Sequence, residues 1–354
     1  MENKEIIDRI ADLKLKLSGK VIIPAHHYQR LEIVGLGDII GDSYKLAVEA
    51  AKSDAEFILF CGVMFMAESA SIMASANQKV LIPVPMAGCP MASMADISFV
   101  EKAYNKIAEV TGKKVAPIVY MNSFADLKSF CGERGGAVCT SSNAQKIISH
   151  YLNNDFVIMF FPDYHLGKNT ANEMGLGDLT TRVFRDGKLE DSKNMADMKF
   201  FLWDGFCQVH QKFKVSDVKV LREKNRNLKI IVHPEANESV VQLSDFTGST
   251  EKIKNMIDSS MDGSTWAVGT ETTFVERIAL ENPGKKIIPL THSVCMNMQK
   301  ITLEKVLQSL ISIDEFITNT GTLKFEVCVD DKFKKFSRIA LENMIRITEE
   351  NAKS

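Results

Sequence analysis

The sequence predicts an α/β protein of three small α/β/α domains, each with a parallel sheet, in a pseudo-threefold arrangement. Short apolar runs rich in Val, Ile and Phe alternate with helical patterns along most of the chain, the alternation expected of parallel sheets with crossover helices. The runs also fall into three consecutive sets, Val21 to Cys89, Val115 to Cys207 and Lys229 to Cys295. Each set opens with a strand ending in polar side chains and closes with a strand followed by a lone cysteine. No residue-level repeat accompanies the pattern, so the likeness among the sets is architectural.

Taken in order, the strands are expected at 21–24, 57–61, 80–84, 115–120, 137–140, 156–161, 200–203, 229–233, 265–269 and 286–290. Ten strands are more than an eight-stranded barrel absorbs, which favours several small sheets. The opening polar residues are His26 and Tyr28, then Tyr120 and Asn122, then His233 and Glu235. The domains are expected at 1–100, 101–215 and 216–300, carrying Cys89, Cys207 and Cys295 in turn, and one thiol from each would meet at the centre. The segment 301–354 reads as mainly helical and packing back on the body, with Leu303, Val306, Leu307 and Leu310 at helical spacing. The softest stretch, 169–197, holds Gly175, Gly177 and Gly187 among polar residues and reads as an excursion within the second domain.

A chain of 354 residues exceeds one ordinary core. Hydrophobic content of 45% and charged content of 25% are those of a globular protein. A formal net charge of −2, with no block of either sign, argues against nucleic acid or an anionic membrane as partner. The chain starts with an amphipathic, acid-bearing helix rather than a basic segment followed by an apolar one, and the longest apolar run, 57–67, is roughly half of the ~20 residues a spanning helix needs. A cytoplasmic location is expected. In that compartment seven cysteines are not disulfides, and metal binding, catalysis or packing remain. No Cys-x-x-Cys occurs, so a cofactor held by thiolates must draw them from distant parts of the fold.

Cys61, Cys139 and Cys328 lie inside or flush with apolar runs and read as core, as does the more polar Cys131. Cys89, Cys207 and Cys295 instead lie in loops between strand and helix among Gly, Pro, His or Asn. Three thiolates are an incomplete cage for zinc and a good one for a [4Fe–4S] cluster with one iron open, a Lewis acid able to assist loss of a hydroxyl. Ala25-His26-His27-Tyr28-Gln29 follows a strand directly, where one histidine can face the cleft and move protons near neutral pH. Gly41-Asp42-Ser43, Cys139-Thr140-Ser141-Ser142-Asn143 and Gly248-Ser249-Thr250 are three hydroxyl-bearing turns that enter helices, each with the chemistry of an anion nest. Three such turns suggest a substrate with several negative groups. His233 and Glu235, two apart at a strand end, point to one side, suited to binding an acid group and moving a proton.

Taken together these segments resemble the quinolinate synthase family, iron–sulfur enzymes of de novo NAD biosynthesis. The resemblance rests on the stretches just named, on Val63-Met64-Phe65-Met66-Ala67-Glu68, Ala87-Gly88-Cys89-Pro90-Met91-Ala92, Tyr120-Met121-Asn122, Pro162-Asp163, Gly205-Phe206-Cys207-Gln208-Val209-His210, His233-Pro234-Glu235 and Gly269-Thr270-Glu271, in order over nearly the whole chain. It implies three stacked domains around a central [4Fe–4S] cluster on Cys89, Cys207 and Cys295, its fourth iron left for substrate. It also implies condensation of iminoaspartate with dihydroxyacetone phosphate, with loss of phosphate and two waters, to close the ring of quinolinate. By similarity His26, Tyr28 and Glu235 are the catalytic residues. His26 and Glu235 would also bind substrate, with Tyr120, Asn122, His210 and His233 orienting carboxylates. Ser43, Ser141, Ser249 and Thr250 would cradle phosphate or carboxylate. The implied partners are these small molecules and, transiently, the enzyme that supplies iminoaspartate.

Two departures stand out. Ala236 follows His-Pro-Glu where many members carry a cysteine that is not a cluster ligand. The third ligand motif, usually Cys-Pro-Asn-Met, reads Cys295-Met296-Asn297-Met298, which leaves the bend after the ligand freer. The alternatives are an aconitase-like iron–sulfur hydro-lyase, disfavoured by chain length and motif order, and a non-catalytic iron–sulfur sensor, which would not need the histidines, Glu235 or the hydroxyl turns.

Overall fold

The computed structural model describes residues 3–191 and 194–350. The expected N-terminal helix is thus described from Asn3, and residues 192–193 of the expected excursion and 351–354 of the helical tail lie outside the described residues. The α/β architecture with several parallel sheets is as expected, and each sheet takes its strands from one stretch of sequence. Compactness divides the chain into two units, residues 1–89 with 295–330, and residues 90–294 with 331–354.

The first unit holds the strands β1 (Val21–Ile22), β2 (Pro24–His26), β3 (Ile39–Gly41), β4 (Phe57–Leu59) and β5 (Lys79–Leu81). A parallel sheet runs β1-β4-β5, and β2 pairs β3 in parallel beside it, joined to it by a bridge between Ala25 and Cys61. Its core gathers Phe57, Leu59 and Leu81 with Ile6 and Ile10 of the helix Asn3–Lys16 and Leu303, Val306, Leu307, Leu310 and Ile313 of the helix Leu303–Ile317. The apolar residues of both helices recur every three to four positions, so each presents one buried stripe. The expected strand 80–84 stops at Leu81 because Pro83 and Pro85 cannot donate to a ladder.

The second unit holds β6 (Lys114–Tyr120), β7 (Ala137–Cys139), β8 (Phe156–Phe161), β9 (Thr180–Val183) and β10 (Phe200–Trp203) in a parallel sheet of order β7-β6-β8-β10-β9. It also holds β11 (Lys229–Val232), β12 (Phe246–Thr247), β13 (Thr265–Gly269) and β14 (Lys286–Pro289), parallel in the order β12-β11-β13-β14. Buried strands of Val, Ile, Phe and Trp covered on both faces explain why these elements are plain in the sequence. The helix Asp331–Glu350 lies against the helix Ala125–Glu133, where Ser337 Oγ donates to the Ala125 carbonyl at 2.7 Å. At Gly132 a Cβ would stand 1.9 Å from the Phe336 carbonyl oxygen, so that contact requires glycine.

Ile39–Gly41, Thr180–Val183 and Phe246–Thr247 are strands the sequence pattern does not announce. Each is short and lies at a sheet edge, and β9 carries Thr and Arg where the pattern asks for an apolar run. The soft stretch 169–197 therefore contains an edge strand. Cys328, expected in the core, is exposed, because its flanking valines turn inward in a segment with no regular structure.

Candidate active site and metal centre

In the first unit the site residues gather on loops at the carboxyl ends of the strands, where parallel sheets present ligand-binding groups. His26 ends β2 and is buried, and its Nδ1 accepts the Tyr28 N–H at 3.1 Å while the two rings meet edge-on at 4.8 Å. His26 lies level with Gly41 on β3, so the turn Gly41-Asp42-Ser43 starts beside it. Asp42, not Ser43, caps the helix Ser43–Lys52, accepting the Lys45 N–H at 2.9 Å. Gln29 Nε2 reaches Met298 Sδ at 3.3 Å, Arg30 donates to the Gln299 carbonyl at 3.0 Å, and Lys300 donates to the Met86 carbonyl at 2.9 Å. These bonds stitch the His26 loop, the Cys295 loop and the Cys89 loop into one surface.

In the second unit a buried polar cluster is built where β6, β10 and β11 end. Glu235 is 2% exposed, and its two oxygens are held by different donors. Tyr120 donates a short hydrogen bond to Oε1, and His210 Nδ1 lies 2.8 Å from Oε2. A carboxylate only accepts, so Nδ1 carries the proton. His210 Nε2 pairs with the Thr270 hydroxyl at 3.2 Å, and the His210 and His233 rings stack at 4.5 Å. His233 Nδ1 accepts the Glu235 N–H at 3.4 Å, leaving Nε2 to donate to Ser141 Oγ at 3.2 Å.

Burial alone would raise the Glu235 carboxyl, but the His210 charge and hydrogen bond, then His233 and the Tyr120 hydroxyl, bring it down to about 2. His233 is lowered to about 3 by burial and by neighbouring His210, so its imidazole is neutral, and its 3.9 Å approach to Glu235 Oε1 is not an ion pair. Asp163 moves the other way, raised well above the usual carboxylate range by burial and then by the Glu235 charge.

Cys207 Sγ, a His210 nitrogen and a Glu235 oxygen lie within 4.8 Å of one another. A single ion on this trio would have to displace one of the two His210 hydrogen bonds just described. Cys207 as one thiolate of a larger centre leaves them intact. The thiols divide sharply. Cys61, Cys131 and Cys139 are buried, and desolvation raises all three, Cys61 to about 12. Cys89, Cys207 and Cys295 are half-buried loop thiols, so each by itself is in a state suited to ligating an iron–sulfur group.

Ser141, Ser249, Thr247, Asn169, Gln145 and Lys252 line an open cavity of about 480 Å³. Ser249 caps the helix Thr250–Asp258, accepting the Lys252 N–H at 3.4 Å, and Thr250 is buried in its first turn. The structure thus brings together Tyr120, His210, His233, Glu235, Ser141 and Cys207, with Ser249 along the cavity. Asn122, just past β6, is half-buried, with Oδ1 buried and without a partner among the described residues. Asp163, Asn169 and Thr270 are among the polar residues at this site that carry no role from sequence. Asp163 and Thr270 had a usable signal, each just beyond an apolar strand, and Asn169 had none.

The profile of the family described as quinolinate synthetase A protein matches residues 8–346. The quinolinate synthase of Listeria monocytogenes is 42% identical over 98% of this chain and 95% of its own. Those of Bacillus licheniformis and Halalkalibacterium halodurans are 40% and 39% identical over 98% of this chain and 94% of theirs. Likeness to solved structures is slight. A Plasmodium falciparum E-1-hydroxy-2-methyl-but-2-enyl-4-diphosphate reductase aligns over 99% of this chain and 94% of its own, at a TM-score of 0.27 and 12% identity, too low to argue from.

Proposed function

The chain belongs to the quinolinate synthetase A family, an enzyme family of NAD biosynthesis, and on that premise we propose that it condenses iminoaspartate with dihydroxyacetone phosphate to quinolinate, releasing phosphate and two waters. The observation that carries this reading is the buried Tyr120–Glu235–His210 set beside Cys207. Cys89, Cys207 and Cys295 would ligate a [4Fe–4S] cluster, which when bound supplies a Lewis acid at its open iron. The enzyme would act in the cytoplasm, a compartment that keeps such thiols reduced. It would receive iminoaspartate by transient contact with the enzyme that makes it.

Glu235 would serve as acid/base. Held by two donors it is too weak a base, and a substrate group that takes the Tyr120 hydroxyl or the His210 N–H for itself would release the carboxylate. Burial, the largest influence on it, then lifts its basicity into a working range. His26 and Tyr28 would carry proton transfers and sugar-side contacts, with His26 Nδ1 already oriented by the Tyr28 N–H. Neutral His233, donating through Nε2, and Asn122 would orient substrate carboxylates together with Tyr120 and His210. Ser43, Ser141, Ser249 and Thr250 would cradle phosphate or carboxylate, which suits a polyanionic substrate in a chain without a basic patch.

Anaerobically purified protein given both precursors should form quinolinate. Glu235→Gln should keep its iron and sulfide and lose turnover about 10²- to 10⁴-fold. A protein devoid of iron, or Cys207→Ala with a full cluster, would sink the cofactor assignment.

A further inference from the structure

We propose that Asn169 is a positioning residue for Glu235, an inference that rests on the reading of Glu235 as acid/base. Glu235 sits in a turn rather than in a strand, so nothing in a sheet ladder fixes its backbone. Asn169 does so from across the unit. Its Nδ2 donates to the Pro234 carbonyl at 2.8 Å and to the Ala236 carbonyl at 2.8 Å, the two peptide oxygens that flank Glu235. The residue is 6% exposed, and turning the amide over would set its oxygen against two carbonyls, so the donor face is fixed.

Asn169 lies in the middle of the helix Tyr164–Glu173, and both ends of that helix are tied to the site. At its start Asp163, fully buried, accepts the Leu166 N–H at 2.6 Å, and the Tyr164 N–H donates to the carbonyl of Gly205, two residues before Cys207, at 2.9 Å. Near its end Asn172 donates to Glu238 Oε1 at 2.8 Å, one turn past Glu235. One helix therefore grips the Cys207 loop at one end and the His233-Pro234-Glu235 turn along its length. It sets how far the thiolate stands from the carboxylate. The carboxylate must meet the Tyr120 and His210 donors while empty and a substrate proton when occupied, and both depend on where its backbone is held.

The test uses the full-length, cluster-loaded protein with Asn169→Leu and Asn169→Asp, two near-isosteres without N–H donors. Each is read for kcat, KM for dihydroxyacetone phosphate, iron and sulfide content and melting temperature, and Asn169→Leu is also combined with Glu235→Asp. The expected result is a kcat loss of about 10- to 100-fold at near wild-type KM, cluster content and melting temperature. Asn169→Leu should then cost less in the Glu235→Asp background than in the wild type, because the carboxylate there is already out of register. Wild-type kcat in either variant, or losses that multiply in the double variant, would overturn the proposal. So would loss of cluster or of melting temperature in both, which assigns Asn169 to folding. Wild-type kcat in Glu235→Asp alone would instead overturn the reading of Glu235, whatever Asn169 does.

Discussion

Two cysteine populations coexist in this chain: burial shields Cys61, Cys131 and Cys139 and raises their thiols, while the other four are half-buried or exposed. Iodoacetamide at mildly alkaline pH should label Cys89, Cys207, Cys295 and Cys328 in metal-stripped native protein and leave Cys61, Cys131 and Cys139 untouched, as read by peptide mass spectrometry. With the cluster in place only Cys328 should react. His233 offers a second check. Its native pKa of about 3 lies below the ordinary value of 6.5, so as pH falls the unfolded chain takes up that proton first. Stability from a neutral, buried His233 is complete above about pH 6.5 and drains away as pH drops toward 3. The melting temperature of apo protein should fall between pH 7 and pH 5, and His233→Gln should flatten that fall. Strand-end histidines, Glu235 and loop thiols were legible in the sequence because their residue types carry chemistry wherever they stand. Asn169 was not, since an asparagine inside a helix means nothing until its helix is seen to face the His233-Pro234-Glu235 turn.

Elements tell a related story about caps. The structure makes Asp42, and not Ser43, the cap of the helix Ser43–Lys52. Asp42→Ala should cost about 0.5–2 kcal/mol in urea unfolding. Ser43→Ala should leave stability within about 0.5 kcal/mol and raise KM for dihydroxyacetone phosphate. An unchanged KM would remove Ser43 from the phosphate cradle. All ten expected strands have counterparts, because a parallel strand buried on both faces must be a continuous apolar run. The three edge pairings at Ile39–Gly41, Thr180–Val183 and Phe246–Thr247 escape that logic, since a strand with one neighbour needs little more than room beside it.

For the whole molecule, the tail is where sequence says least. The helices Leu303–Ile317 and Asp331–Glu350 both show helical spacing, yet the first completes the core of one unit and the second packs within the other. Spacing reports that a helix has an apolar stripe and not which surface the stripe will meet. A chain ending at Asp330 should keep the first unit and expose the helix Ala125–Glu133, so limited proteolysis should cut within 90–294 and spare 1–89. Cuts spread evenly over both would contradict this. The same chain path bears on synthesis. Residues 1–89 leave the ribosome with Ile6, Ile10, Phe57 and Leu81 lacking the helix that covers them, and at ordinary elongation rates that helix follows roughly 10–40 s later. For that interval the nascent chain carries an open apolar surface, which makes the first quarter of this protein a natural client for chaperones that hold translating chains.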